Sequence, residues 1–495
     1  MRKLERLLDA IFLALLVALF SYWLFSGLIA GAPQKLLGVV VAPTTQLTVA
    51  AIVMAALVCA LFGVLGVFMI GAVFSSWNGQ IDIAISDGLG RRSRRLFYRH
   101  PWAKLILCVL AARLLVYTAA YILYTSANGY QGGLLDTLPL WLKGDAPHYL
   151  GIAENWYVTE GDPRFHIVFF PLYPICVRIF NGMVHHTFAS GMALSLLFTV
   201  AACVLLYELA LLDMDREAAW RAVKYLLLMP AAFLLCAPMS DALFFMLSLA
   251  CMLAARKKRY ALACALGGFA AFTRVLGVLL LAPVLIEMGG DIARVKLAGD
   301  TVAGRFTRRT LPLLLLIPAG LLLYIYINYR VTGNAFQFMV YQSEHWSQNM
   351  GLFFNTAAYQ TNNFLNNIHI NPAVAYGLWL PNLVFLVGAP AVVLLGQRPN
   401  RRKRAVFAHS PVGEPLRQPY GMRASYIAFF LAYYLTGMGT TWLLSAPRYL
   451  TCCFVLLLAL ASKERSRLAN AFIYILLMTT QFLYLAAYVA GWPVY

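Results

Sequence analysis

The chain has 495 residues, is 61% hydrophobic and only 12% charged, and carries a formal net charge of +19. A soluble domain carries about 25% charged residues, and many apolar runs here reach the roughly 20 residues that cross a bilayer, so a soluble all-α protein is excluded. The positive surplus would suit a nucleic-acid binder, but most of the 39 Lys and Arg fall in short loops between apolar runs. That is how the inner face of a polytopic membrane protein is built, and no nucleic-acid partner is expected.

In chain order, apolar segments are read at 9–30, 46–74, 104–124, 188–211, 222–238, 241–255, 259–273, 275–289, 311–328, 375–396, 424–442, 448–462 and 469–491, which makes 13 transmembrane helices. The first follows the basic start MRKLERLL and lacks a small-residue cleavage site, so it is read as a retained helix. With the N-terminus inside, the inner loops hold RRSRR, RRLFYRHPWAK, DREAAWRAVK, ARKKR, the 291–309 segment, RPNRRKR and SKERSR. Seven cations remain for the outside: Lys35, Lys143, Arg164, Arg178, Arg274, Arg330 and Arg448. This bias fixes the orientation, and the basic loops suit anionic lipid headgroups.

The acids show the opposite pattern. Asp136, Asp145, Glu154, Glu160, Asp162, Asp241 and Glu344 all map to the outer side, the first five within one loop. Four divisions follow: residues 1–103 with two N-terminal helices and a basic loop, a core over 104–328 with an outer loop at 125–185, an outer loop at 329–374, and C-terminal helices over 375–495. The 329–374 loop is rich in Asn, Gln, Tyr and Trp, side chains that hydrogen-bond and stack on polyhydroxylated ligands as readily as they line an interface. Pro230, Pro238 and Pro283 interrupt the spans over 222–289. Broken helices are tolerated only where protein or a wet cavity satisfies the freed carbonyls, so PMSDALF and FTRVLG are expected to face one outer cavity. The basic loop 398–423 reads as a flexible connector. The nine cysteines show no disulfide-framework or zinc-ligand spacing.

The outer loop carries the chemistry. DAPHYLGIAENWY reads as a helix with Pro147 in its first turn and Asp145 at or near the N-cap, where capping alone can account for that acid. His148, three residues on, can orient Asp145, bind a phosphate or share a metal, which leaves room for a divalent cation but shows no full ligand set. Glu154 lies nine residues beyond Asp145, about 900° of rotation along a helix, on the opposite face. FFPLYPICVRIF is too short to span and reads as a juxtamembrane helix lying in the interface, with Arg178 reaching to water. A carboxylate near an apolar surface can serve as general base for a hydroxyl acceptor, and a phosphate leaving group calls for cations where charge develops. Arg274 and Arg448, at outer ends of spans, are the candidates.

DAPHYLGIAE resembles the W-D-A-x-H-[FY]-x-x-I-A-E stretch of the second mannosyltransferase of glycosylphosphatidylinositol synthesis, the PIG-V-like proteins. FFPLYP is similar to that family's F-F-P-x-[FY]-P. PMSDALF, FTRVLG, GNAFQFMVYQSEHW and SAPRYL echo later family motifs in order, over about 141–450. Gly144 stands where the family has Trp, and the first two spans are additional to the pattern. The resemblance implies a GT-C-type fold and an enzyme that takes a sugar, usually mannose, from a polyprenyl or dolichyl phosphate on the extracytoplasmic or luminal face and gives it to a lipid or glycan acceptor. It implies Asp145 as catalytic base, with His148 and Glu154 in the same site. Asp241, Arg274, Gln342, Trp346, Arg448 and Tyr173 are the further substrate-binding candidates. Short basic loops place the protein in a bacterial plasma membrane. Two other readings stay open: a lipid-linked sugar transporter, although it needs charges midway along several spans and only Arg113 and Glu208 stand inside them, which argues against a through-path, and a non-catalytic subunit of a membrane glycosylation complex.

Overall fold

The computed structural model describes residues 2–26, 34–36, 38–77, 102–297, 309–397, 422–463, 466–492 and 494. The segments RRSRR and RPNRRKR, and most of the 291–309 and 398–423 loops, lie outside the described residues. Among the described residues the protein is all-α apart from an antiparallel pair of two-residue strands, Lys35–Leu36 with Val39–Val40. Eight described helices are long and apolar enough to cross a membrane: Lys3–Ser26, Val49–Ser75, Trp102–Asn128, Thr187–Leu211, Val275–Ala293, Leu311–Thr332, Pro372–Gly396 and Arg467–Val489. The chain is thus an integral membrane protein with eight such helices among the described residues, or nine if the bent pair Asp162–Val168 and Leu172–Val184 is one span, so the thirteen expected are not confirmed.

The other five apolar segments are short. They form Arg216–Leu228, Asp241–Arg256, Tyr260–Thr273, Ala424–Gly437, and the pair Ala446–Thr451 and Phe454–Ala461. The longest of them rises about 24 Å at 1.5 Å per residue, less than the ~30 Å of bilayer hydrocarbon. Asp241–Arg256 and Phe454–Ala461 are almost wholly buried, whereas Leu262 and Phe269 of Tyr260–Thr273 stand exposed. Pro283 breaks nothing: it lies in the first turn of Leu281–Leu297, where no backbone donor is needed.

The stretch FFPLYPICVRIF leads into the helix Leu172–Val184, bent by 112° from the 3₁₀ turn Asp162–Val168, the geometry of a broken span or a re-entrant loop. Tyr173, Pro174 and Val177 are buried on one face, while Ile179 and Met183 stand exposed on another. Arg178 does more than reach for water, since its Nη2 donates to the Glu154 carbonyl at 3.0 Å. The segment 329–374 is not a loop. It holds the end of Leu316–Thr332 and the helices Gln337–Glu344 and Phe353–Ile370. The first half of Phe353–Ile370 is buried. Its asparagines dock the chain's own N-terminal part: Asn355 accepts from Trp23 Nε1 at 3.1 Å and donates to Thr44 Oγ1 at 2.8 Å, and Asn362 donates to Thr45 Oγ1 and Gln46 O. Helix Val49–Trp77 packs on Phe353–Ile370, Ala424–Gly437 and Leu380–Gly396, so the two N-terminal helices belong to the body of the protein.

Candidate functional site

Gly144 takes a positive φ of 60°, a turn that suits glycine, and the helix Ala146–Asn155 starts directly after Asp145. The Asp145 carboxylate does not cap that helix. It accepts instead from Arg448 Nη2 at 2.5 Å, across 303 residues of sequence. Arg448 sits in the short helix Ala446–Thr451 and is buried. Its Nε lies 3.2 Å from both oxygens of Asp241, and its Nη2 2.7 Å from Asp241 Oδ2. Asp241 opens the helix Asp241–Arg256, where a carboxylate faces the positive end of the helix dipole. Arg274, between Tyr260–Thr273 and the 3₁₀ turn Val275–Leu280, donates through Nη1 to Asp241 Oδ1 at 2.8 Å and through Nε to Ser240 Oγ at 3.1 Å.

Four of the residues singled out in the sequence, Asp145, Asp241, Arg274 and Arg448, therefore meet in one chain of ion pairs. Asp241 is 2% exposed and Arg448 6%, whereas Asp145 is 29% exposed. The cluster is neutral as two carboxylates and two guanidiniums. Arg274 Nη2 and Asp145 Oδ1 make no hydrogen bond with the described residues. The sequence reading missed Ser240, Tyr149 and Tyr449. Tyr149 Oη shares a hydrogen bond with Ser240 Oγ at 2.7 Å, and the Arg274 guanidinium lies over the Tyr449 ring. Each is a direct neighbour of a motif residue or lies on the Asp145 helix, which was the available signal.

Beside Asp145 stands a wall of rings. His148 stacks on Phe169 at 4.8 Å between centroids and meets His166 edge-on at 4.8 Å and Trp346 at 6.3 Å. His345 stacks on Phe165 and touches Trp346. Burial holds the His148 imidazole below its ordinary pKa although Asp145 pulls the other way. Burial, with His148 alongside, lowers His166 to about 4. Both shifts favour the neutral imidazole at His148 and His166, and the rings present faces and ring nitrogens suited to a sugar.

Three expected site residues lie elsewhere. Tyr173 is a buried strut, with Oη donating to Gly191 O at 3.0 Å and sharing a hydrogen bond with Ser195 Oγ at 2.8 Å. Gln342 Nε2 donates to Gln348 Oε1 at 2.5 Å, and Gln348 donates on to Trp442 O, which ties two segments together. Glu154 lines a separate cavity of about 520 Å³ with Pro147, Gly151, His185, His186 and Thr187, because half-turn geometry puts it opposite Asp145. Among the described residues no three His, Cys, Asp or Glu side chains are grouped to hold a metal ion.

No family model matches this sequence, and no curated protein matches it. Solved structures do resemble its fold. ArnT from Cupriavidus metallidurans, bound to undecaprenyl phosphate, aligns at 12% identity and a TM-score of 0.41 over 78% of this chain and 74% of its own. The Archaeoglobus fulgidus oligosaccharyltransferase tethered to an acceptor peptide aligns at 13% identity and a TM-score of 0.40, over 77% of this chain and 56% of its own. Its apo form aligns at 12% and 0.37, over 80% and 56%.

Proposed function

We propose that the chain is a GT-C-type glycosyltransferase that moves a hexose, mannose first among candidates, from a polyprenyl phosphate to a lipid or glycan acceptor with inversion at the anomeric carbon. The observation that carries this is the convergence of Asp145, Asp241, Arg274 and Arg448 from four separate parts of the chain, with Asp145 the exposed member. The motif resemblance to PIG-V-like proteins supplies the sugar class. In this reading Asp145 takes the proton of the acceptor hydroxyl as its oxygen attacks the anomeric carbon. The bond from that carbon to the phosphate oxygen breaks, and polyprenyl phosphate leaves with the electron pair. Arg274 and Arg448 steady the charge that grows on the phosphate. Asp241 keeps both guanidiniums aligned and, together with Asp145, balances their charge while no phosphate is present. The ring wall of His148, Phe169 and Trp346 seats the sugar. The N-terminus is placed in the cytoplasm and the site on the extracytoplasmic face of a bacterial plasma membrane, from the distribution of Lys and Arg in the sequence.

The test is incubation of the purified protein, in lipid nanodiscs with a membrane lipid extract, with polyprenyl-phosphate mannose, glucose and arabinose in turn. Mass spectrometry is expected to show free polyprenyl phosphate and one product class heavier by one sugar. Intact donor in every reaction, with the protein well folded, would overturn the proposal.

A further inference from the structure

Asp241 is delivered to the site by an interrupted stretch of chain. Helix Arg216–Leu228 stops, residues 231–240 run through the 3₁₀ turn Ala232–Cys236, and helix Asp241–Arg256 begins. Met229 and every residue from 231 to 245 are buried. Such a break frees backbone carbonyls where no water can satisfy them. Five of them are met by side chains from long helices. Gln481 Nε2 donates to Leu227 O at 2.9 Å and Met229 O at 3.2 Å. Arg113 Nη1 donates to Ala232 O at 2.7 Å, Thr199 Oγ1 to Leu235 O at 2.9 Å, and Tyr117 Oη to Cys236 O at 3.4 Å. Arg113 and Tyr117 lie four apart, on one face of Trp102–Asn128. The stretch ends on Ser240, which Tyr149 and Arg274 both engage.

Arg113 is the costly member of this set. It is 1% exposed, lies within a membrane-crossing helix, and forms no ion pair with a described carboxylate. Among the described residues its Nε and Nη2 have no hydrogen-bond partner. A neutral donor would cost less to bury, whereas a charged one holds a carbonyl about twice as strongly. We propose that Arg113 is a positioning residue for the reaction centre: by gripping the Ala232 carbonyl it fixes the interrupted stretch and so sets Asp241 against Arg274 and Arg448. The inference rests on the glycosyltransferase reading for its kinetic consequence but not for its structural one.

Both are read on the full-length protein with Arg113→Gln and Arg113→Lys. Backbone amides over 231–241 are expected to exchange about tenfold faster in Arg113→Gln, the loss of one charge-assisted hydrogen bond, while those of Thr187–Leu211 and Arg467–Val489 keep their rates. The kcat for sugar transfer is expected to fall about tenfold with KM for the donor within about twofold, since the donor still binds to a misaligned centre. Arg113→Lys is expected to recover most of both. Thr199→Val, which removes a neighbouring bond and no charge, is expected to loosen the same amides by about threefold. Unchanged exchange over 231–241 in Arg113→Gln, or faster exchange spread evenly over the protein in both Arg113→Gln and Thr199→Val, would overturn the proposal. A wild-type protein that transfers no sugar would refute the enzyme reading alone, and the exchange rates would still decide the role of Arg113.

Discussion

The helix Asp241–Arg256 carries a charge cluster at each end, and the two are wired differently. At its last residue, Arg256 donates Nη1 and Nη2 to the two oxygens of Asp213 at 2.6 and 2.8 Å, and Tyr426 bonds to both partners. Next to it, Arg423 takes both oxygens of Glu287 at 3.0 Å through Nε and Nη2, and Ser425 adds a bond at 2.6 Å. These are fork-to-fork pairs in which each carboxylate oxygen is occupied. At the first residue, two guanidiniums share the single carboxylate of Asp241, and Asp145 hangs from the end of the chain with one oxygen unbonded. The same residue types make a staple in one place and leave room for a ligand in the other. Both ends also match the helix dipole, acid at the start and base at the end, so the dipole does not distinguish them. Closure of the hydrogen bonding does.

The comparison can be broken by exchanging single groups. The largest effect is expected for Arg448→Gln, which removes the cation shared by Asp145 and Asp241: sugar transfer should fall about 10³-fold. Arg448→Lys should rescue little, because a single ammonium cannot span both carboxylates. Initial rates on monodisperse protein check this. At the opposite end, Glu287→Gln leaves the Arg423 charge half-buried without its acid and is expected to lower stability by about 3 kcal/mol, read by thermal unfolding in detergent, while transfer per folded molecule stays within about twofold.

A smaller effect comes from the imidazoles beside Asp145. With His148 and His166 held below their ordinary pKa, the unfolded chain binds protons that the folded one does not, between about pH 6.5 and about 4. Stability is therefore fully present above about pH 6.5 and is lost as pH falls towards 4. His166→Phe should flatten part of that slope in unfolding curves taken across the range. The smallest effect is expected at Glu154. It faces away from the cluster, and Glu154→Gln should change transfer by less than about twofold.

Asp241, Arg274 and Arg448 could be read in the sequence because each stands at the end of an apolar run, where a charge needs a reason, and Asp145 because it opens the DAPHYLGIAE motif of the outer loop. Their meeting could not, since pairing across 303 and 207 residues leaves no local signal. The number of spans could not be read for a related reason: short apolar helices such as Tyr260–Thr273 have the composition of long ones such as Thr187–Leu211, and length alone separates them. The amide-rich stretch over 353–370 suited a ligand in prospect, yet Asn355 and Asn362 serve the chain's own N-terminal segment, as amides bond equally well to either. Glu287 and Arg423, each unremarkable alone, gave no hint of the staple, and the partner of Arg113 is a backbone carbonyl, which sequence never displays.

The most direct test sets one substitution at each end of the helix side by side: sugar transfer by Asp145→Asn and by Asp213→Asn, at equal amounts of folded protein and with saturating donor. The account predicts a loss of about 100-fold or more for Asp145→Asn and a rate close to wild type for Asp213→Asn. Equal rates in the two variants, or a normal rate in Asp145→Asn, would contradict it.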